Sequence, residues 1–155
     1  MAPRGLALLL LLAGCATGAG EGQAPLLAGV AVIEITPSRD IPLGGYSARR
    51  GKPMIGVHDP LYAKALWLET PDTKVCLVTT DLIGSLLAIR DRIQPPDASV
   101  ILTASHTHSG PGALHPSFLW QIALGKYDPA VYEELVGKLQ RVVEQARADR
   151  RPAGM

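Results

Sequence analysis

The chain has 155 residues, 47% of them hydrophobic and 19% charged, a balance that fits one globular domain with a real core and excludes a disordered polyelectrolyte. Its 15 basic and 14 acidic residues leave a net charge of +1, which excludes a nucleic-acid partner held by bulk positive charge. The arginines near the end (Arg141, Arg147, Arg150, Arg151) are interleaved with Glu144 and Asp149 and read as a solvated helix face.

Residues 1–14 read as an export signal. Arg4 supplies a short positive region, and Leu6 to Leu12 form an apolar run too short to span a bilayer. The run closes on Leu12-Ala13-Gly14-Cys15, which resembles the bacterial lipoprotein processing box. That resemblance implies cleavage before Cys15, lipidation of Cys15, and a protein anchored to a bacterial cell membrane, or secreted if Cys15 stays unlipidated. Residues 15–27 are small, polar and Gly-rich and are expected to form a flexible tether. The other cysteine, Cys76, lies in the apolar run Val75-Cys76-Leu77-Val78. This leaves no disulfide framework and makes Cys76 a small core residue.

From residue 28 onward the patterning predicts an α/β fold, a mixed sheet with flanking helices. Val30 to Ile35 is β-branched and predicts a first strand, ended by Thr36-Pro37. Pro42-Leu43-Gly44-Gly45-Tyr46-Ser47 reads as a loop that continues through Arg49-Arg50-Gly51-Lys52-Pro53. Leu61–Glu69 and Lys74–Thr80, joined through Pro71-Asp72-Thr73, predict a hairpin. Ser85 is placed to cap a helix through Leu86, Ile89, Arg90 and Ile93 that stops before Pro95-Pro96. Ser99 to Ala104 predicts the next strand. The strongest helix pattern is the last one, with Asp128 as cap, Pro129 at its first position, and Glu133 and Glu134 near its positive end. Its apolar stripe, Tyr132, Leu135, Val136, Leu139, Val142, Val143 and Ala146, must be buried against something. With open sheet edges also expected, residues 28–155 read as the incomplete front of a larger catalytic domain.

The segment richest in chemistry is Ser105-His106-Thr107-His108-Ser109-Gly110-Pro111-Gly112, directly after a predicted strand. On an extended segment, residues at i and i+2 face the same way, so two imidazoles, the commonest metal ligands, would converge. Asp81 ends a strand expected to neighbour the histidine strand, so it is a candidate to orient an imidazole or to cap the following helix. His115 is expected to be exposed.

Several runs carry a resemblance in order: Ala28-Gly29-Val30, Ile35-Thr36-Pro37, Gly44-Gly45-Tyr46, Gly56-Val57-His58-Asp59-Pro60-Leu61-Tyr62-Ala63, Thr80-Asp81-Leu82-Ile83-Gly84, and the histidine motif itself. Together they resemble the N-terminal catalytic region of neutral/alkaline ceramidases. The resemblance implies a zinc-dependent amidohydrolase that splits ceramide, a lipid amide, into sphingosine and a fatty acid. It assigns His106 as a zinc ligand and His108 to the reacting group, with His58, Gly45 and Tyr46 near the pocket. The family's other ligands and its nucleophilic serine lie C-terminal to this motif, so these 155 residues are expected to be inactive alone.

Two other readings compete. One is a different metal-dependent hydrolase using the His-x-His pair, although Gly110 stands where a metallo-β-lactamase type would want an acid, and a hairpin precedes the motif where an amidohydrolase barrel would have a β/α repeat. The other is a non-catalytic lipid-anchored surface protein.

Overall fold

The computed structural model describes residues 26–154. The export signal, Cys15 and nearly all of the expected tether lie outside the described residues. Leu26 and Leu27, assigned to the tether from sequence, already belong to the first strand, β1 (Leu26–Glu34).

Five strands form one sheet: β1, β2 (Tyr62–Glu69), β3 (Lys74–Thr80), β4 (Ser99–Ala104) and β5 (Arg151–Ala153), in the order β4-β3-β2-β1-β5. β2 and β3 are the predicted antiparallel hairpin. Their turn is closed by Thr70, whose N–H donates to the Thr73 carbonyl at 2.8 Å while its Oγ1 accepts from Thr73 N–H at 3.2 Å. β3 and β4 run parallel, so they need a crossover. Helix α1 (Leu87–Ile93) supplies it. The helix begins from Leu86 without a side-chain cap, so the expected Ser85 cap is corrected. Burial of Ile89 and Ile93 holds the helix in its place.

Helix α2 (Phe118–Leu124) and strand β5 have no counterpart in the sequence reading. Helix α2 follows the histidine motif and leaves Phe118, Leu119, Trp120 and Ile122 exposed. β5 pairs antiparallel with Leu26–Ala28 at the sheet edge, where Pro152 is tolerated because an edge strand can omit a ladder donor.

Helix α3 (Pro129–Ala148) lies across β1 and β2 and also packs on α1. Asp128 caps it as expected, accepting from the N–H groups of Ala130 and Val131. The whole predicted stripe is buried, so these strands and α1 cover the helix face within the chain itself. Trp67, Cys76, Val78, Ile89, Leu139 and Val142 are fully enclosed. Burial pushes the Cys76 thiol up to about 11, which keeps it an inert neutral packing group. At Gly29 a Cβ would collide with the carbonyl of Ala146, so the end of α3 can close on β1 only because that residue has no side chain. Among the described residues, no helix is long and apolar enough to cross a membrane.

Candidate functional site

The parallel pairing of β3 and β4 decides where the site lies. Both strands leave the sheet at the same end, so the loop after Thr80 runs beside the loop after Ala104. Crevices outside the carboxyl ends of parallel strands are the usual ligand positions of open α/β sheets. Two backbone bonds fasten the loops together, Ser105 N–H to the Thr80 carbonyl at 2.9 Å and Thr107 N–H to the Leu82 carbonyl at 3.2 Å. A third segment joins them from earlier in the chain: Gly44 N–H donates to the Gly110 carbonyl at 2.9 Å, and Gly112 N–H to the Pro42 carbonyl at 2.7 Å.

On this frame the two histidines meet, with ring centroids 5.2 Å apart and planes nearly perpendicular. They do not meet through strand alternation, as the sequence suggested. β4 ends at Ala104, and His106 sits at φ 60°, a left-handed conformation rarely adopted by a residue with a side chain. Such backbone strain clusters at functional sites. Nδ1 of His106 lies 2.6 Å from the Ile83 carbonyl oxygen. A carbonyl can only accept, so this nitrogen carries the proton, and in the neutral ring Nε2 then holds the free lone pair. That is how an imidazole is prepared to bind a metal, its second nitrogen oriented by a backbone acceptor. His106 therefore fits a metal-ligand role. Among the described residues, no three His, Cys, Asp or Glu side chains gather as a metal-binding group.

His108 is half-buried, and its Nδ1 is enclosed without a hydrogen-bond partner. Packing alone fixes this ring. The Tyr46 ring lies against it with centroids 4.3 Å apart. On another side is Gly45 at φ 75°, where a Cβ would run into the His108 ring, 2.6 Å from Cε1. Glycine is required twice here, for the positive φ and for the space.

The structure thus brings together four residues singled out from sequence, namely Gly45, Tyr46, His106 and His108. Two others stand apart. Asp81 does not orient an imidazole; its Oδ2 accepts from Tyr62 N–H at 3.0 Å and holds the start of β2. Nor does it cap α1. His58 is fully exposed beside Asp59, at 2.7 Å, and lines a cleft of about 450 Å³ with Thr107 and Ser109 rather than the space between the histidine rings. His115 is half-buried, not exposed, with its ring 5.7 Å from that of Trp120. Sequence reasoning missed Arg49, whose Nη1 donates to the His108 carbonyl at 2.6 Å; its only signal was a basic residue three positions after Tyr46.

Residues 26–155 match the family described as neutral/alkaline non-lysosomal ceramidase, N-terminal. The chain belongs to this ceramidase family. Its fold is shared with the crystal structure of neutral ceramidase from Pseudomonas aeruginosa, at a TM-score of 0.73 and 24% identity, covering 84% of this chain and 23% of that one. A ceramidase complexed with C2 is similar at the same TM-score and identity, with 84% and 22% covered. The chain spans less than a quarter of the length of either relative. The expected mixed α/β architecture is therefore that of the N-terminal ceramidase region.

Proposed function

We propose that this chain forms part of the active centre of a zinc-dependent amidase that cleaves ceramide-like lipid amides, exported and anchored to a bacterial membrane through Cys15. The observation that carries the reading is His106, strained at φ 60° and oriented through Nδ1 onto Ile83, beside His108 in a chain of the ceramidase family.

Amide hydrolysis adds water across the C–N bond and releases a carboxylic acid and an amine. It needs stabilisation of the carbonyl oxygen, an activated nucleophile and a proton for the leaving nitrogen. Zinc, when bound, supplies a Lewis acid and lowers the pKa of water. His106 offers Nε2 as one ligand. His108, its Nδ1 enclosed against Gly45, is left with Nε2 to hydrogen-bond the developing oxyanion or to move a proton. A catalytic zinc takes about three protein ligands, so further ligands and the nucleophile come from elsewhere in the assembled enzyme. These 155 residues alone are accordingly proposed to bind zinc poorly and to show no ceramide hydrolysis.

The test is metal content by mass spectrometry beside hydrolysis of a ceramide analogue, in the assembled enzyme. His106→Ala should lose both zinc and activity. His108→Ala should keep most of the zinc and lose turnover. Equal zinc loss in both variants makes His108 a ligand and overturns the division of roles. Full activity in both favours the reading as a non-catalytic lipid-anchored surface protein with an unrelated contaminating hydrolase.

A further inference from the structure

Arg49 ends a short 3-10 helix (Ser47–Arg49) directly after Tyr46. Its guanidinium makes three contacts that converge on one place. Nη1 donates to the His108 carbonyl at 2.6 Å and to the Gly44 carbonyl at 3.3 Å, and the guanidinium carbon lies 4.9 Å from the Tyr46 ring centroid. The Tyr46 ring in turn contacts the His108 ring. Arg49 has no carboxylate partner among the described residues. A half-buried cation committed to two carbonyls and an aromatic face is an unusual use of charge for a surface loop.

We propose that Arg49 is the positioning residue for His108. This rests on the reading of His108 as the group beside the scissile amide. The physical need follows from the missing hydrogen bond at Nδ1 of His108. Most functional imidazoles are aligned by a partner on their second nitrogen. His106 has such a partner; His108 does not. Its ring is aligned only by what packs against it and by the backbone that carries it. Arg49 controls both. It clamps the backbone through a charge-assisted bond to the residue's own carbonyl, and it backs the Tyr46 ring through a cation–π contact. A lysine would keep the charge but lose the planar guanidinium face that lies against Tyr46.

The experiment uses the full chain labelled with carbon-13 in its four histidine rings and reads their resonances by NMR. The ring current of Tyr46 should set the His108 signal apart. In Arg49→Ala that signal is expected to move and broaden, while that of His115, packed near Trp120, stays in place and reports an intact fold. In the assembled enzyme the same variant should lower kcat by about 10- to 100-fold, as for a misplaced catalytic group, with KM and zinc content unchanged. Arg49→Lys should be intermediate in both readouts, and carries the test if the alanine variant does not fold. A His108 signal unmoved in both variants overturns the proposal, as does a change confined to KM or to zinc content. If the wild type shows no amidase activity, the functional reading fails, while the His108 resonance still decides whether Arg49 positions it.

Discussion

Nδ1 of His106 lies 2.6 Å from the carbonyl oxygen of Ile83, and that contact joins the ends of two parallel strands through a side chain. It fixes the histidine's tautomer, and with φ at 60° it fixes the direction of the ring. The neighbouring imidazole is held differently, by the Tyr46 ring and the bare backbone of Gly45. Each arrangement has its own vulnerable residue.

For His108 that residue is Gly45. Gly45→Ala places a methyl group where the His108 ring now stands and forces a side chain into a left-handed conformation. The conformation alone costs about 1–2 kcal/mol, and the ring must also move. Thermal melts should show a loss of that order, and turnover in the assembled enzyme should fall by more than the loss of folded protein explains. Unchanged turnover would mean that the position of His108 is not critical.

Anchoring is testable apart from catalysis. Leu12-Ala13-Gly14-Cys15 motivates the expectation that labelled fatty acid enters the wild type in cells and is absent from Cys15→Ser. Several acyl chains, each contributing about 0.8 kcal/mol per buried CH₂, should bring the wild type down with membranes and leave the variant soluble. Equal labelling of the two proteins rules the anchor out.

The helix over the sheet is sensitive at its cap and at its centre. Asp128→Ala removes the acceptor for Ala130 and Val131 and should cost about 0.5–2 kcal/mol. Leu139 is completely buried, and Leu139→Ala should cost about 2–5 kcal/mol through lost contact and the cavity left behind. Denaturant titrations should rank the two in that order. A larger loss at the cap would mean that α3 is held mainly by its end.

Asp97 sets an acid sensitivity. It receives hydrogen bonds from Lys74 and Arg147, both at 2.8 Å. The Lys74 hydrogen bond, helped by the charges of Arg147 and Lys74, holds its carboxyl below the ordinary carboxylate range. A carboxyl depressed in the folded state contributes stability above its unfolded pKa and loses it as pH falls through the folded value. Asp97→Asn should therefore lower Tm at neutral pH, and the gap to wild type should close in acid. A gap that persists at low pH would show the loss to be steric.

The elements legible in the sequence were those specified by local chemistry. The bounds of β3 and β4 follow from β-branched runs between turn residues, and α3 follows from a 3.6-residue stripe, an aspartate cap and a proline at its first turn. The pairing of His106 with His108 as neighbours was legible too, although through the wrong geometry, because a non-glycine residue at positive φ leaves no mark in a sequence. Where the reading failed, the deciding partner was distant along the chain. β5 exists because Leu26–Ala28 offer an open edge to Arg151–Ala153; Asp81 turns to Tyr62 because the hairpin brings that N–H within reach; Arg49 reaches His108 because Gly44 and Gly112 bind the early loop to the histidine turn. Side-chain periodicity and capping act over one or two turns of chain and can be read in order. The contacts that align His108 form only after the sheet has set its register and the loops at its carboxyl end have closed on one another, so the tertiary structure alone decided them.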